Sequence, residues 1–325
     1  MNEQIDLVIV GAGPCGIAVG AAAATLGVKA TLYDKSCITS SLVDYPYYMT
    51  FFSTAEKLEI AGVPFAIADI KPTRREALVY YRSVVKHYNL DIHQYQEVIS
   101  IEGSRGNFIV NTRKRTGMSS SVSAKAVAIA TGGFHAPNYL GVPGEDLPKV
   151  KHYYKEPYPF YEQDVLVVGG GNSSVECALE IYRSGGRVTM VHFLDQIDPG
   201  VKPWIVPDIQ NRLKNGEIRA YWEHRVTEIH PTSVVMCKKD SNEIIEIPND
   251  WVFAMTGWRP DREFLATLGV TIDEETGIPC HNTETMETDV PGIYVAGVLA
   301  AGYNANKIFI ENGKLHGAKI IKSLD

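Results

Sequence analysis

Two short glycine clusters carry the strongest chemical signal in the chain: Gly11-Ala12-Gly13-Pro14-Cys15-Gly16 and Gly169-Gly170-Gly171-Asn172-Ser173-Ser174. Glycines at this spacing suit a turn that grips a pyrophosphate. Gly11 and Gly169 permit the tight turn, and Gly13 and Gly171 let backbone approach the phosphates. Gly16, and in the second cluster the small Ser174, lets a following helix pack close to the preceding strand. Pro14, Asn172 and Ser173 complete the two turns at a helix start, where free N–H groups favour an anion. Asp34 stands 21 residues past Gly13, with Lys35 beside it. A carboxylate there can accept both hydroxyls of a ribose.

Such turns work only between a buried strand and a helix. Ile5 to Val10 is an apolar, β-branched run of the kind expected for a central parallel strand. An alanine-rich helix follows to about Leu26, and a strand from Ala30 to Tyr33 ends at Asp34. The pattern returns as a strand Val165 to Val168, a helix through about Arg183 and a strand Arg187 to His192. Two dinucleotide-binding units imply two dinucleotides, which favours FAD plus NAD(P)H over a simple dehydrogenase. Thr131-Gly132 closes a strand after a run of short β segments, and Gly257 closes another in Met255-Thr256-Gly257-Trp258. The chain then resumes with an apolar strand ending at Gly297 and a terminal helix. These two sites read as hinges. The expected fold is therefore α/β, with two nested Rossmann-like, three-layer ββα domains. Residues 1–133 and 258–325 form a discontinuous FAD-binding domain, and 134–257 an inserted NAD(P)H-binding domain. Thr73-x-x-Glu76, preceded by Pro72, is a capping box that opens a helix to about His87.

The bulk composition narrows the class. The chain has 325 residues, 45% of them hydrophobic and 21% charged, which suits a two-domain globular protein. Its net charge of −7 argues against a nucleic-acid or anionic-membrane surface. No apolar stretch is long enough to span a membrane, and the first apolar run is flanked by Glu3 and Asp6 rather than by the lysines of a signal peptide. The five cysteines are scattered without a CxxC, which fits a reducing cytoplasm. Cys177 reads as core, Cys237 as strand packing, Cys280 as a turn residue, and Cys37 as the likelier of these to be exposed. No metal site is read. His152 and His316 lack partners at ligand spacing and are read as surface or capping residues.

The order of these motifs resembles the low-molecular-weight pyridine nucleotide–disulfide oxidoreductases, of which thioredoxin reductase is the familiar member. Four segments, GAGPCG, MTFFSTAEKLEIAGVPF, VKPWIVPDIQNRL and YVAGVLAAGYNANKIFIENGKLHG, look more like the YpdA-type group of bacillithiol-disulfide reductases. The resemblance spans essentially the whole chain. It implies FAD, NADPH with NADH held open, and a small-molecule disulfide as acceptor. Thioredoxin reductases carry a CxxC before the second glycine turn; here His152 to Phe160 contains no cysteine, so a dithiol relay is excluded. The resemblance points instead to Cys15 as a single catalytic thiol forming a mixed disulfide. A helix start lowers a thiol pKa, whereas a neighbouring pyrophosphate raises it.

Further positions carry over residue by residue. Thr50, Phe52 and Ser53 are expected to line the isoalloxazine, although Phe51 and Phe52 read equally well as core. Val98 is expected to meet adenine, with Thr131 and Gly132 close to the flavin. Gly297, Lys307 and Ile308 are expected near the ribityl chain and pyrimidine edge. Val298 replaces the aspartate of thioredoxin reductases. A 2′-phosphate usually needs basic residues after the second unit's second strand, where the group shows an arginine. Here the residues are His192-Phe193-Leu194-Asp195, which leaves His192, Lys202 or Arg259 to supply charge. A homodimer or homotetramer is expected. Three other readings remain open: a ferredoxin or flavodoxin reductase of the same fold, a flavin monooxygenase, and a non-catalytic redox-sensing flavoprotein.

Overall fold

The computed structural model describes residues 4–134, 136–241 and 243–324. The chain divides into two compact units, an outer one of residues up to 44, 49–136 and 258 onward, and an inserted one of 45–48 and 137–257.

At the centre of the outer unit lies β1 (Ile5–Val10), whose Leu7, Val8 and Ile9 are wholly buried. It runs parallel to β2 (Ala30–Asp34) on one side and β6 (Ser119–Ile129) on the other, with Leu7 opposite both Ala30 and Ala126. β3 (Asp91–Gln94) continues the parallel sheet beyond β2. Strand Ile293–Val295 adds in parallel to the end of β6, against Val127, Ala128 and Ile129. The other half of β6 pairs antiparallel with β5 (Asn107–Lys114), which pairs with β4 (Gln96–Ser104). Covering a strand on both faces explains the apolar run Leu7 to Val10. Each fully buried aliphatic side chain contributes about 1.5–3 kcal/mol.

Helix α1 (Pro14–Thr25) owes its position to its small residues. It is buried at Gly16, Ile17, Ala18, Val19, Gly20, Ala21 and Ala23. The carboxy-terminal helix His316–Lys322 approaches so closely that a Cβ at Gly317 would lie 2.7 Å from the Ala18 carbonyl oxygen. Helix Arg74–His87 begins at the expected capping box: Thr73 accepts from the Glu76 amide, and the Glu76 carboxylate accepts from the Thr73 amide at 2.8 Å.

The inserted unit repeats the parallel plan. Its sheet runs in the order Arg219–Trp222, Arg187–His192, Asp164–Val168, Trp251–Ala254, Val150–Lys151, every pair parallel. Helix Asn172–Arg183 follows the central strand and buries Val175, Cys177, Ala178, Leu179 and Ile181. Strands His224–Ile229, Ser233–Lys238 and Ile244–Pro248 form a separate antiparallel sheet. Two parallel α/β units with antiparallel additions are the fold expected from the paired fingerprints. No described helix is long and apolar enough to cross a membrane.

Candidate functional site

The first glycine turn fits a dinucleotide by its steric pattern. Gly11 holds φ at +108°, and a Cβ there would lie 2.5 Å from the Ala130 carbonyl oxygen. A Cβ at Gly16 would lie 2.0 Å from the Gly11 carbonyl oxygen. These two positions are closed by protein backbone. Gly13 is the opposite case, with no protein atom within 4 Å of its Cβ position. The closed glycines shape the turn, and the open one leaves a surface that a phosphate can approach. Pro14 is the first residue of α1. Asp34, the last residue of β2, accepts from the amides of Ala12 and Ser36, both at 2.8 Å. Burial raises its carboxyl pKa, against the lowering effect of those two amides and of exposed Lys35.

Cys15 lies on the same turn of helix and is half-buried, with its thiol packed toward Gly297 and Gly313. A Cβ at Gly297 or at Gly313 would come within 2.9 Å of its Sγ, so glycine at both positions makes room for the thiol. Gly297 also holds φ at +74°. Burial pushes the thiol up to about 12. The lowering expected from a helix start is therefore outweighed by desolvation, and the resting side chain is a neutral thiol.

His316 stands behind this cluster. It is buried rather than at the surface, and its Nδ1 accepts the Gly297 N–H at 3.1 Å. The surface or capping reading is thus corrected: the ring is a structural acceptor for the turn that walls Cys15. Burial, then Lys319 and His281, lower its pKa to about 4. In the unfolded chain the ring takes a proton near 6.5, so between these values the unfolded state binds more protons and stability falls as pH falls. We expect His316→Asn, which keeps an acceptor for Gly297, to flatten the fall in urea midpoint between pH 6.5 and 4. The effect should be on the order of 2 kcal/mol, allowing for residual solvent screening. Equal slopes in both proteins would remove His316 from this role.

The segment expected to line a flavin is tied to the carboxy-terminal part of the outer unit. Residues 49–51 pair antiparallel with 72–74 through the Phe51 amide on the Pro72 carbonyl and the Arg74 amide on the Met49 carbonyl, both at 2.9 Å. Thr50 is exposed and Phe52 half-buried, whereas Phe51 belongs to the core. Ser53 hydrogen bonds Glu311. Lys314 Nζ donates to the carbonyls of Lys57 and Glu59 at 2.6 and 2.7 Å. Exposed Lys307 accepts at its carbonyl from Asn312 at 2.9 Å, and Ile308 packs toward Gly313. Thr131 and Gly132 follow β6, with open space at the Gly132 Cβ position. Val98 is buried in β4 opposite Thr112. Glu311 and Lys314 are partners that sequence reasoning did not single out.

The second glycine turn sits in the inserted unit at the start of helix Asn172–Arg183. Gly169 holds φ at +129°, and a Cβ there would lie 2.5 Å from both the Met255 carbonyl oxygen and Ser174 Oγ. Asn172 ties the turn to the loop beyond strand Arg187–His192: its Oδ1 accepts from the Lys202 amide at 2.9 Å and its Nδ2 donates to the Gly200 carbonyl at 3.1 Å. Ser173 is exposed. His192 is buried rather than free, with Nε2 3.1 Å from Asp198 Oδ1. Gly257, with φ at +86°, closes the unit. All five cysteines are free thiols; Cys280 is the exposed one, and Cys37, expected to be the more open, is half-buried.

Comparison with known proteins agrees with this geometry. The pyridine nucleotide-disulphide oxidoreductase family model matches residues 8–297. Bacilliredoxin reductase Bdr of Bacillus subtilis (strain 168) is 46% identical over 318 residues, 98% of this chain and 96% of that protein. The solved bacillithiol disulfide reductase Bdr (YpdA) from Bacillus cereus superposes with a TM-score of 0.96 at 42% identity, over 99% of both chains. Its counterpart from Staphylococcus aureus gives 0.92 at 38% identity, over 99% of this chain and 98% of that one. With the family model and these reductases all matching most of its length, this chain belongs to the pyridine nucleotide-disulphide oxidoreductases, enzymes that pair a flavin with a nicotinamide nucleotide.

Proposed function

We propose that the chain is a cytoplasmic FAD-dependent reductase that uses NAD(P)H to reduce a low-molecular-weight thiol disulfide such as bacillithiol disulfide. The observation that carries this reading is the packing of a single thiol, Cys15, into the first glycine turn of a chain that matches bacillithiol disulfide reductases end to end. The absence of a CxxC leaves Cys15 to act without a resolving partner at that spacing.

In this reading the outer unit holds FAD. Gly11, Gly13, Pro14 and Gly16 present backbone to the pyrophosphate, and Asp34 accepts the ribose hydroxyls, with Lys35 beside it. Thr50, Phe52, Ser53, Val98, Thr131, Gly132, Gly297, Lys307 and Ile308 supply the remaining contacts. The inserted unit holds the nicotinamide nucleotide through Gly169, Gly171, Asn172 and Ser173, with His192, Lys202 and Gly257 around them. When bound, the flavin would accept two electrons from the nicotinamide and hold them for the disulfide. Cys15 must first lose its proton, because burial keeps it neutral at rest. Its thiolate then attacks one sulfur of the substrate, forming a mixed disulfide and releasing one thiol, and the two electrons drawn from the nicotinamide have to cleave that mixed disulfide, releasing the second thiol and returning Cys15.

The test is anaerobic oxidation of NADH and NADPH with bacillithiol disulfide as the sole acceptor, run beside a bacilliredoxin disulfide and a ferredoxin. Turnover with the small disulfide supports the proposal. Turnover with a protein acceptor alone would move the function to that partner.

A further inference from the structure

The first glycine turn provides a reference for the second. There the last residue of the second strand, Asp34, places its carboxylate on the turn itself, accepting from the Ala12 amide at 2.8 Å. In the inserted unit the last residue of the corresponding strand is His192. Its ring lies under Gly170, where a Cβ would meet it at 2.6 Å. His192 Nε2 is 3.1 Å from Asp198 Oδ1, and the Asp198 amide donates to the Gly170 carbonyl at 3.0 Å. Asp198 Oδ2 then lies 3.2 Å from the Cβ position of Gly171, the glycine that corresponds to the open Gly13. The strand-end acid of the first unit is thus replaced by a relay. A buried histidine holds a carboxylate supplied by the next loop, and the glycine turn anchors that loop through backbone.

The charge around this carboxylate is unfavourable for a phosphate. Asp195 is exposed in the same loop. The basic groups at hand are Lys202, half-buried in the same loop with its amide on Asn172 Oδ1 at 2.9 Å, and Arg225, whose guanidinium stacks 4.8 Å over the Phe193 ring; a 2′-phosphate would have to draw on them beside two carboxylates. A carboxylate at a strand end accepts ribose hydroxyls, whereas a 2′-phosphate has no proton to offer it near neutral pH and is repelled.

We propose that the His192–Asp198 pair makes the inserted unit select a nucleotide with an unphosphorylated adenosine ribose, NADH over NADPH. This rests on the reading of the inserted unit as the nicotinamide-binding one. The preference runs against the NADPH use that the resemblance implied. Its residue-level cause is a carboxylate held against the glycine turn in a chain whose stretch His192–Asp195 lacks the arginine that the resemblance leads one to expect.

Binding, not turnover, gives the cleanest measurement. Titration calorimetry of the flavin-loaded protein with NAD+ and NADP+ should give a Kd for NAD+ at least about tenfold the lower. Asp198→Asn and His192→Leu should each narrow that ratio at least about fivefold, with flavin content unchanged. The wild-type ratio decides even if a variant misfolds. Equal or tighter binding of NADP+ to the wild type, or an unchanged ratio in a folded Asp198→Asn protein, overturns the proposal alone. Binding of neither nucleotide overturns the nicotinamide assignment of the unit, and the proposal with it.

Discussion

Gly16→Ala should yield a protein purified essentially without flavin. The added methyl would sit 2.0 Å from the Gly11 carbonyl oxygen and 3.1 Å from its carbon, so backbone rather than a movable side chain must yield. Gly11 cannot retreat, because its own Cβ position is already 2.5 Å from the Ala130 carbonyl oxygen. Relief has to come from lifting α1 off β1, which opens the turn and strains the core, at about 1–3 kcal/mol or more. Gly13→Ala separates the two consequences. Its backbone has φ −73° and ψ 177°, open to any residue, and nothing stands within 4 Å of the added methyl. We expect its unfolding midpoint without cofactor to stay within about 0.5 kcal/mol of the wild type, while FAD affinity falls because the methyl occupies the phosphate approach. The 450 nm to 280 nm absorbance ratio after purification, followed by FAD titration, reads both variants. Full flavin in Gly16→Ala would falsify the assignment of this turn.

The second large effect concerns turnover. Cys15→Ala should reduce disulfide-dependent NAD(P)H oxidation by about three orders of magnitude, in the range seen when a nucleophile is removed. Bleaching of the flavin by the reduced nicotinamide should persist, because it does not use the thiol. The variant should fold, since deleting one sulfur from the pocket between Gly297 and Gly313 leaves only a small void, destabilising by about 1 kcal/mol. Stopped-flow flavin reduction and steady-state turnover, measured on the same flavin-loaded sample, separate the two half-reactions. Turnover equal to wild type, with full flavin content, rules Cys15 out as the attacking group. Gly313→Ala gives an independent check: its methyl would lie 2.9 Å from Sγ and must displace the thiol, so turnover should fall with Cys15 still present.

How far the sequence could be read followed from the range of the interactions involved. The two fingerprints were legible because strand, turn and helix are adjacent in the chain and each has its own residue signature. The strand Arg187–His192 and the helix end at Arg183 fall where the pattern put them. The capping box at Thr73 was legible for the same reason. What escaped depends on contacts between distant residues. No local pattern announces that His316 is buried to serve Gly297, or that Ser53 meets Glu311 across 258 residues. Residues 45–48 group with the inserted unit, where the Tyr47 amide meets the Lys155 carbonyl at 2.8 Å and Tyr48 meets Tyr158 edge-on. Cys15 misled in a different way. Its helix-start position is visible in the sequence, but the burial that outweighs it is not, and among the groups packed on the thiol are glycines nearly 300 residues away.

The place of strand Ile293–Val295 has a consequence for synthesis. It completes the parallel sheet beside Val127–Ile129, yet the inserted unit, apart from residues 45–48, is translated between them. At ordinary ribosome speed that gap lasts roughly 10–30 s. During it the apolar end of β6 has an open edge, the kind of surface that chaperones and aggregation compete for. The inserted unit, contiguous apart from four residues, can meanwhile collapse on its own. Gly297, Gly313 and His316 follow the inserted unit in the chain, so the wall around Cys15 cannot form until they have been made. Flavin loading is therefore a step that follows synthesis of the inserted unit, and riboflavin-starved cells should accumulate a chain whose outer unit is protease-sensitive.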